Sequence, residues 1–183
     1  MNQYLKSPIR HMAQGLAHWM AYRWDLSGAL IIEADAVLTA IDILRANLPN
    51  GYILEREVTK KSLSIVGNQR IDLGIKSKIS GSYVCLIEFK LADATNAGYL
   101  RDVEKLRRIK LKGNNIDCLV VILYRKSCPY SKPKEFVQND GKAIKKVVKV
   151  GSKKISVRAR CVCNSFTSFS NSNSRKTVCL ELV

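Results

Sequence analysis

Arg70-Ile71-Asp72-Leu73-Gly74-Ile75-Lys76-Ser77-Lys78-Ile79 leads through Ser80-Gly81-Ser82 into Tyr83-Val84-Cys85-Leu86-Ile87-Glu88-Phe89-Lys90, and the reading of this stretch decides the fold. In the first segment apolar residues fall mostly on odd positions and polar residues or glycine on even ones. Such a period of two predicts a strand with Ile71, Leu73, Ile75 and Ile79 toward the core and Asp72 on the opposite face. Ser80 to Ser82 reads as a turn and Tyr83 to Lys90 as the returning strand. A hairpin centred on Ser80 sets Asp72 directly opposite Glu88. A two-residue loop at Ser80-Gly81 shifts the pairing by one and separates the two acids, so the register decides the chemistry.

The segments on either side extend the pattern. Helical periodicity covers about residues 8–23 and 28–47, the latter stopped by Leu48-Pro49-Asn50-Gly51. An extended segment over about 52–66 precedes the hairpin. An amphipathic helix over about 97–112 follows it and ends at Gly113-Asn114-Asn115. Cys118 to Tyr124 is a continuous apolar run, the signature of a strand buried on both faces. Basic strand-like segments close the chain near 144–163 and 176–182, and the Ser/Asn-rich stretch Asn164 to Ser174 reads as a flexible loop. The order α-β-β-β-α-β with β additions predicts an α/β or α+β fold with a mixed sheet flanked by helices. Residues 1–124 are expected to hold the core and residues 125–183 a basic extension packed on the same domain.

At 183 residues, with 46% hydrophobic and 25% charged residues, the chain has a globular composition and the length of one domain. No apolar run is long enough to span a bilayer and no signal peptide is visible, so a cytoplasmic protein is expected. The formal net charge is +16. Residues 1–124 hold 17 basic and 12 acidic residues, whereas residues 125–183 hold 14 and 3. An excess of that size points to a polyanion, most often nucleic acid. The six cysteines include no C-x-x-C pair. Cys85 and Cys118 sit in apolar runs as core residues, and reduced thiols account for the set better than a zinc site drawn from Cys128, Cys161, Cys163 and Cys179. No phosphate-binding loop or dinucleotide fingerprint occurs, and His11 and His18 lie in no metal-binding pattern.

Two carboxylates opposite each other on a sheet repel unless a cation lies between them. Oxygen ligands about 5 Å apart at their β-carbons suit Mg²⁺, which takes one or two carboxylates and keeps several waters. Lys90, two residues beyond Glu88, projects from the same face, where an amine serves an attacking water or the charge growing on a phosphate. The alternative is a solvated sheet face on which Lys90 and Arg70 merely offset the acids.

Asp72, then fifteen residues, then Glu88-Phe89-Lys90 resembles the D…(D/E)-x-K signature of the PD-(D/E)XK, or restriction-endonuclease-like, nucleases. The α-β-β-β-α-β order over about residues 28–124 is similar to that family's core. Ile71 stands where the family's motif carries proline. The resemblance implies a metal-dependent endonuclease that hydrolyses phosphodiester bonds of DNA with Mg²⁺, or Mn²⁺ in its place. It implies Asp72, Glu88 and the Phe89 carbonyl as metal ligands and Lys90 as the group serving water and phosphate. DNA is the expected partner, within a homodimer or a larger nuclease assembly, and no membrane is expected.

Many members of that family add a glutamate from the preceding helix. Glu33 lies on the line of Val37, Ala40, Ile41 and Leu44 and is the candidate catalytic and metal-binding addition, with a plain salt bridge as the alternative. Glu55 and Glu57 compete for that role, while Asp35 and Asp42 fall on another face. In the helix over 97–112, Leu100, Val103, Leu106 and Ile109 form a buried line and Arg101, Lys105, Arg108 and Lys112 a basic stripe. The stripe is a candidate nucleic-acid track or a solvated face, and Tyr99 either stacks on a base or caps the core. The runner-up function is a non-catalytic nucleic-acid-binding subunit on the same fold. A third reading, a basic interaction protein, leaves the acidic pair unexplained.

Overall fold

A computed structural model describes residues 1–23, 32–59, 61–63, 70–91, 96–111, 115–125, 145–150, 152–167 and 170–183. After a 3-10 turn at Gln3–Leu5 come helices α1 (Lys6–Ala21) and α2 (Glu33–Asn47) and strands β1 (Tyr52–Thr59), β2 (Arg70–Ser77) and β3 (Tyr83–Leu91). Helix α3 (Asn96–Lys110), β4 (Asp117–Arg125), β5 (Lys145–Val150), β6 (Lys153–Thr167) and β7 (Ser170–Leu182) complete the chain. The strands form one seven-stranded mixed sheet in the order β1-β2-β3-β4-β7-β6-β5. β3 and β4 run parallel across the α3 crossover and every other neighbouring pair is antiparallel. No described helix is long and apolar enough to cross a membrane.

The sheet buries both faces, and β4 shows how. Cys118, Val120 and Ile122 join Val103, Leu106 and Ile109 of α3 in one core, while Leu119, Val121 and Leu123 join α1 and α2 residues in the other. A run with no polar alternation is what two covered faces require. On α1, Ile9, Met12, Ala13, Leu16 and Met20 are buried at helical spacing. Helix α2 opens with Glu33 and Asp35, which suit the positive helix N-terminus, and stops at Leu48, which Pro49 holds extended. The helix expected from residue 28 therefore begins at Glu33, and residues 28–31 lie outside the described residues. The cysteines at 85, 118, 163 and 179 are free and buried, and burial pushes the Cys118 thiol up to about 12.

Three further expectations are corrected. Ile79 is 94% exposed, because β2 ends at Ser77 and Ile79 belongs to the turn. Ile71 packs with Val58, Tyr99 and Val103 on the α3 side, whereas Leu73 and Ile75 face the α1–α2 side. The alternation thus slips at Asp72. Facing it in β1, between the pairs Arg56↔Leu73 and Val58↔Ile71, Glu57 holds a φ of 50°, which locally breaks the pleat. Of the Ser/Asn-rich run expected as a loop, residues 164–167 and 170–174 instead continue β6 and β7, paired from Cys163↔Thr177 out to Thr167↔Ser170, and residues 168–169 lie outside the described residues. Backbone pairing begun between core residues carries through a segment whose side chains favour turns. Gly74 is a residue the close packing requires, since a β-carbon there falls 2.7 Å from both Tyr83 Cε1 and Val58 Cγ2.

Candidate active site

The hairpin register is the one that brings the acids together. Leu73↔Ile87, Gly74↔Leu86 and Ile75↔Cys85 pair as a turn centred on Ser80 demands, with an irregularity between Ile75 and Lys76. Pairing of β2 with β3 stops at Leu73↔Ile87, one step short of Asp72 and Glu88. Beyond it the Phe89 amide donates to Asp72 Oδ2 at 2.8 Å rather than to the backbone of β2. A side-chain carboxylate has taken over a ladder bond. The two strands part there, and the site occupies the fork.

Glu88 is 2% exposed, on the face of β3 that α3 covers. Its carboxylate is ion-paired with Lys105 Nζ of α3. Lys105 Nζ also lies 3.6 Å from Asp102 Oδ1, and donates to the Arg70 carbonyl at 2.9 Å. Lys90 Nζ sits 3.5 Å from Asp102 Oδ2 and donates to Glu33 Oε1 at 2.8 Å. Glu33, Lys90, Asp102, Lys105 and Glu88 therefore form a chain of alternating charge, with Asp72 close enough to act electrostatically on Glu88, Lys90 and Asp102.

Charge is unevenly matched in this chain. Burial, then repulsion by Asp72, pushes the Glu88 carboxyl up to about 9 despite the opposing pull of Lys105. Burial likewise raises Asp102, against the pull of Lys90 and Lys105. Burial works to lower the Lys90 ammonium, but the bond to Glu33 and the charge of Asp102 outweigh it and hold the amine above its ordinary value. Lys90 is thus a permanent cation at neutral pH rather than a proton acceptor.

The candidates drawn from the sequence fare differently. Asp72, Glu88 and Lys90 meet at the fork with Phe89 between them. Glu33 reaches the same place but binds Lys90, the salt bridge that was its alternative. Glu57 pairs with Arg70, and Glu55 with Lys76 at 2.6 Å, so neither points to the acids. The basic stripe does not hold as one feature. Lys105 turns inward to Glu88, Arg108 lies 3.1 Å from Glu104, Arg101 is exposed, and Lys112 falls outside the described residues. Tyr99 is buried in the core. Sequence reasoning missed Asp102 entirely and placed Lys105 on the wrong surface. Their spacing of three put them on one helical face beside the buried line, the only signal present. Among the described residues no group of three or more His, Cys, Asp or Glu side chains is gathered as a ligand set.

The chain matches no protein-family model, no curated protein and no solved structure.

Proposed function

We propose that the protein is a metal-dependent nuclease that hydrolyses DNA phosphodiester bonds on a restriction-endonuclease-like fold. One observation carries this reading: the fork holds four carboxylates, Glu33, Asp72, Glu88 and Asp102, against two ammonium groups, Lys90 and Lys105. With all four ionised the excess is two negative charges in a partly buried site; one divalent cation balances both, whereas protonation of Glu88 removes only one of them. The donor set fits Mg²⁺, which needs only one or two carboxylates and fills its remaining positions with water and substrate phosphate. The order α2-β1-β2-β3-α3-β4, with β4 parallel to β3, supports the fold assignment.

In this reading Asp72 and Glu88 hold the cation, with the Phe89 carbonyl at hand between them. When bound, the cation polarises the phosphodiester and lowers the pKa of a coordinated water. Lys90, kept protonated, opposes the charge that develops on the phosphate. Glu33 and Asp102 fix the Lys90 amine from two sides.

The Lys105–Glu88 ion pair favours a second reading, a non-catalytic nucleic-acid-binding subunit whose acids are already compensated. Incubation with linear, circular and single-stranded DNA, in Mg²⁺, Mn²⁺ or EDTA, separates the two. Metal-dependent cleavage that Asp72→Asn and Glu88→Gln abolish in folded protein is expected. Lys90→Ala should lower kcat far more than DNA affinity. Absence of cleavage with either metal, while DNA still binds, selects the binding subunit.

A further inference from the structure

We propose that Lys105 is an exchangeable cation at Glu88: its ammonium occupies the place beside that carboxyl in the metal-free protein, yields it to a divalent cation, and so sets the threshold for metal binding. This rests on the reading of the fork as a metal site and adds to it two residues, Asp102 and Lys105, outside the D…(D/E)-x-K motif.

Glu88 is the most buried acid of the fork, and its ion-pair partner among the described residues is Lys105. Two cations on one carboxylate repel at close range, more strongly in a partly buried site than in water. Lys105 therefore competes with any metal that Glu88 binds. Its route away is short. Asp102, 3.6 Å from its Nζ, and the Arg70 carbonyl, at 2.9 Å, both accept the ammonium after it leaves Glu88. Asp102 is a positioning residue that keeps the displaced amine beside the fork, where the two lysines together face an incoming phosphate.

The asymmetry between the two lysines supports the assignment. Lys90 is fixed between Glu33 and Asp102 and touches neither Asp72 nor Glu88 at ion-pair distance. Lys105 alone of the pair occupies a candidate ligand. Neutralising Lys105 should accordingly tighten metal binding, the opposite of what deleting a structural residue does.

Mn²⁺ binding to the full chain, followed by the electron paramagnetic resonance of free Mn²⁺, tests this without recourse to cleavage. Lys105→Gln should bind Mn²⁺ on the order of tenfold more tightly than wild type, a coupling of ordinary size between two competing ions. Lys105→Arg keeps the charge and should stay near wild type. Wild-type binding with an unchanged or weaker Lys105→Gln overturns the exchangeable-cation role and leaves the metal site standing. Failure of both proteins to take up Mn²⁺ removes the metal reading along with it. Arginine behaving like glutamine also overturns the proposal, because charge would then not be the competitor. Should Lys105→Gln unfold in EDTA, added Mn²⁺ is expected to restore its melting transition, and no restoration counts against the proposal.

Discussion

Replacing Glu88 by Gln changes how stability depends on pH, and the structure sets the size of the change. In metal-free buffer the Glu88 carboxyl titrates near 9 in the folded chain against 4.5 for an unperturbed glutamate. Between those values the folded state keeps a proton that the unfolded state has released. Stability is then greatest below the unfolded value and falls as pH rises toward 9. Each pH unit in that window is worth about 1.4 kcal/mol for one group. From pH 5.5 to 7.5 the loss is about 2 to 3 kcal/mol, a ceiling because Asp72 and Lys105 readjust as Glu88 ionises. For a chain of this size that is a fall of roughly 5–10 °C in Tm.

Glu88→Gln keeps the shape of the side chain and removes the proton equilibrium. Its stability should therefore decline less steeply over the same interval, with the two proteins converging only below the unfolded value of 4.5 and the variant's advantage growing by about 2 to 3 kcal/mol between pH 5.5 and 7.5. Urea or thermal unfolding in EDTA at pH 5.5, 6.5 and 7.5 measures both slopes, and the difference between them cancels every group the two proteins share. Mg²⁺ should flatten the wild-type slope and leave that of the variant nearly unchanged, since only the wild type gains a compensated carboxylate. Parallel slopes in EDTA would refute the claim that burial and Asp72 hold the Glu88 carboxyl above its ordinary range despite Lys105.

Two further outcomes follow from the fork and its packing. Gly74→Ala should destabilise by about 1–3 kcal/mol, because the new methyl meets both Tyr83 and Val58 at 2.7 Å, and chemical denaturation reads the loss directly. DNA affinity should rise on the order of tenfold when Ca²⁺ replaces EDTA, since an oxygen-seeking cation cancels the negative excess a phosphate meets at the fork. Fluorescence anisotropy with labelled duplex measures it, and the gain should vanish in an Asp72→Asn, Glu88→Gln double variant.

Much of the architecture was legible in the sequence because it rests on periodicity. The β4 run from Cys118, the buried line Val103, Leu106 and Ile109, and the hairpin register about Ser80 are consequences of which faces must be dry. The failures lie where a local rule meets a tertiary one. Ile79 continued the alternation of β2 in sequence, yet the strand ended two residues earlier, at Ser77. Ile71 kept its parity but changed its core, because the strand departs from its partner at Asp72. Residues 164–167 and 170–174 carried turn-forming side chains into strands held by backbone pairing. The site divides the same way. Spacing located Asp72, Glu88 and Lys90, which share one hairpin, but the partners of those groups come from α2 and α3. No spacing rule connects Glu33 to Lys90 or Lys105 to Glu88 across the fold.

The basic stripe on α3 shows why charge pattern alone misleads. Arg101, Lys105 and Arg108 look equivalent in sequence, and the net charge of +16 invites reading all three as a surface for phosphates. In the folded chain the three have different surroundings: Arg101 faces solvent, Arg108 answers Glu104, and Lys105 is 14% exposed against a buried acid. What separates them is the local balance. The protein as a whole is strongly positive, while the fork, once Glu88 is ionised, is short of two positive charges. The wide field draws a polyanion toward the molecule at long range. At the fork that polyanion meets four carboxylates and two lysines, so close approach of a phosphate is unfavourable until the deficit is filled. In the proposed nuclease reading, metal and nucleic acid therefore each raise the affinity of the other by the same factor, as linkage requires. The burial of Glu88 makes that coupling strong, and the position of Lys105 sets the concentration of metal at which it begins.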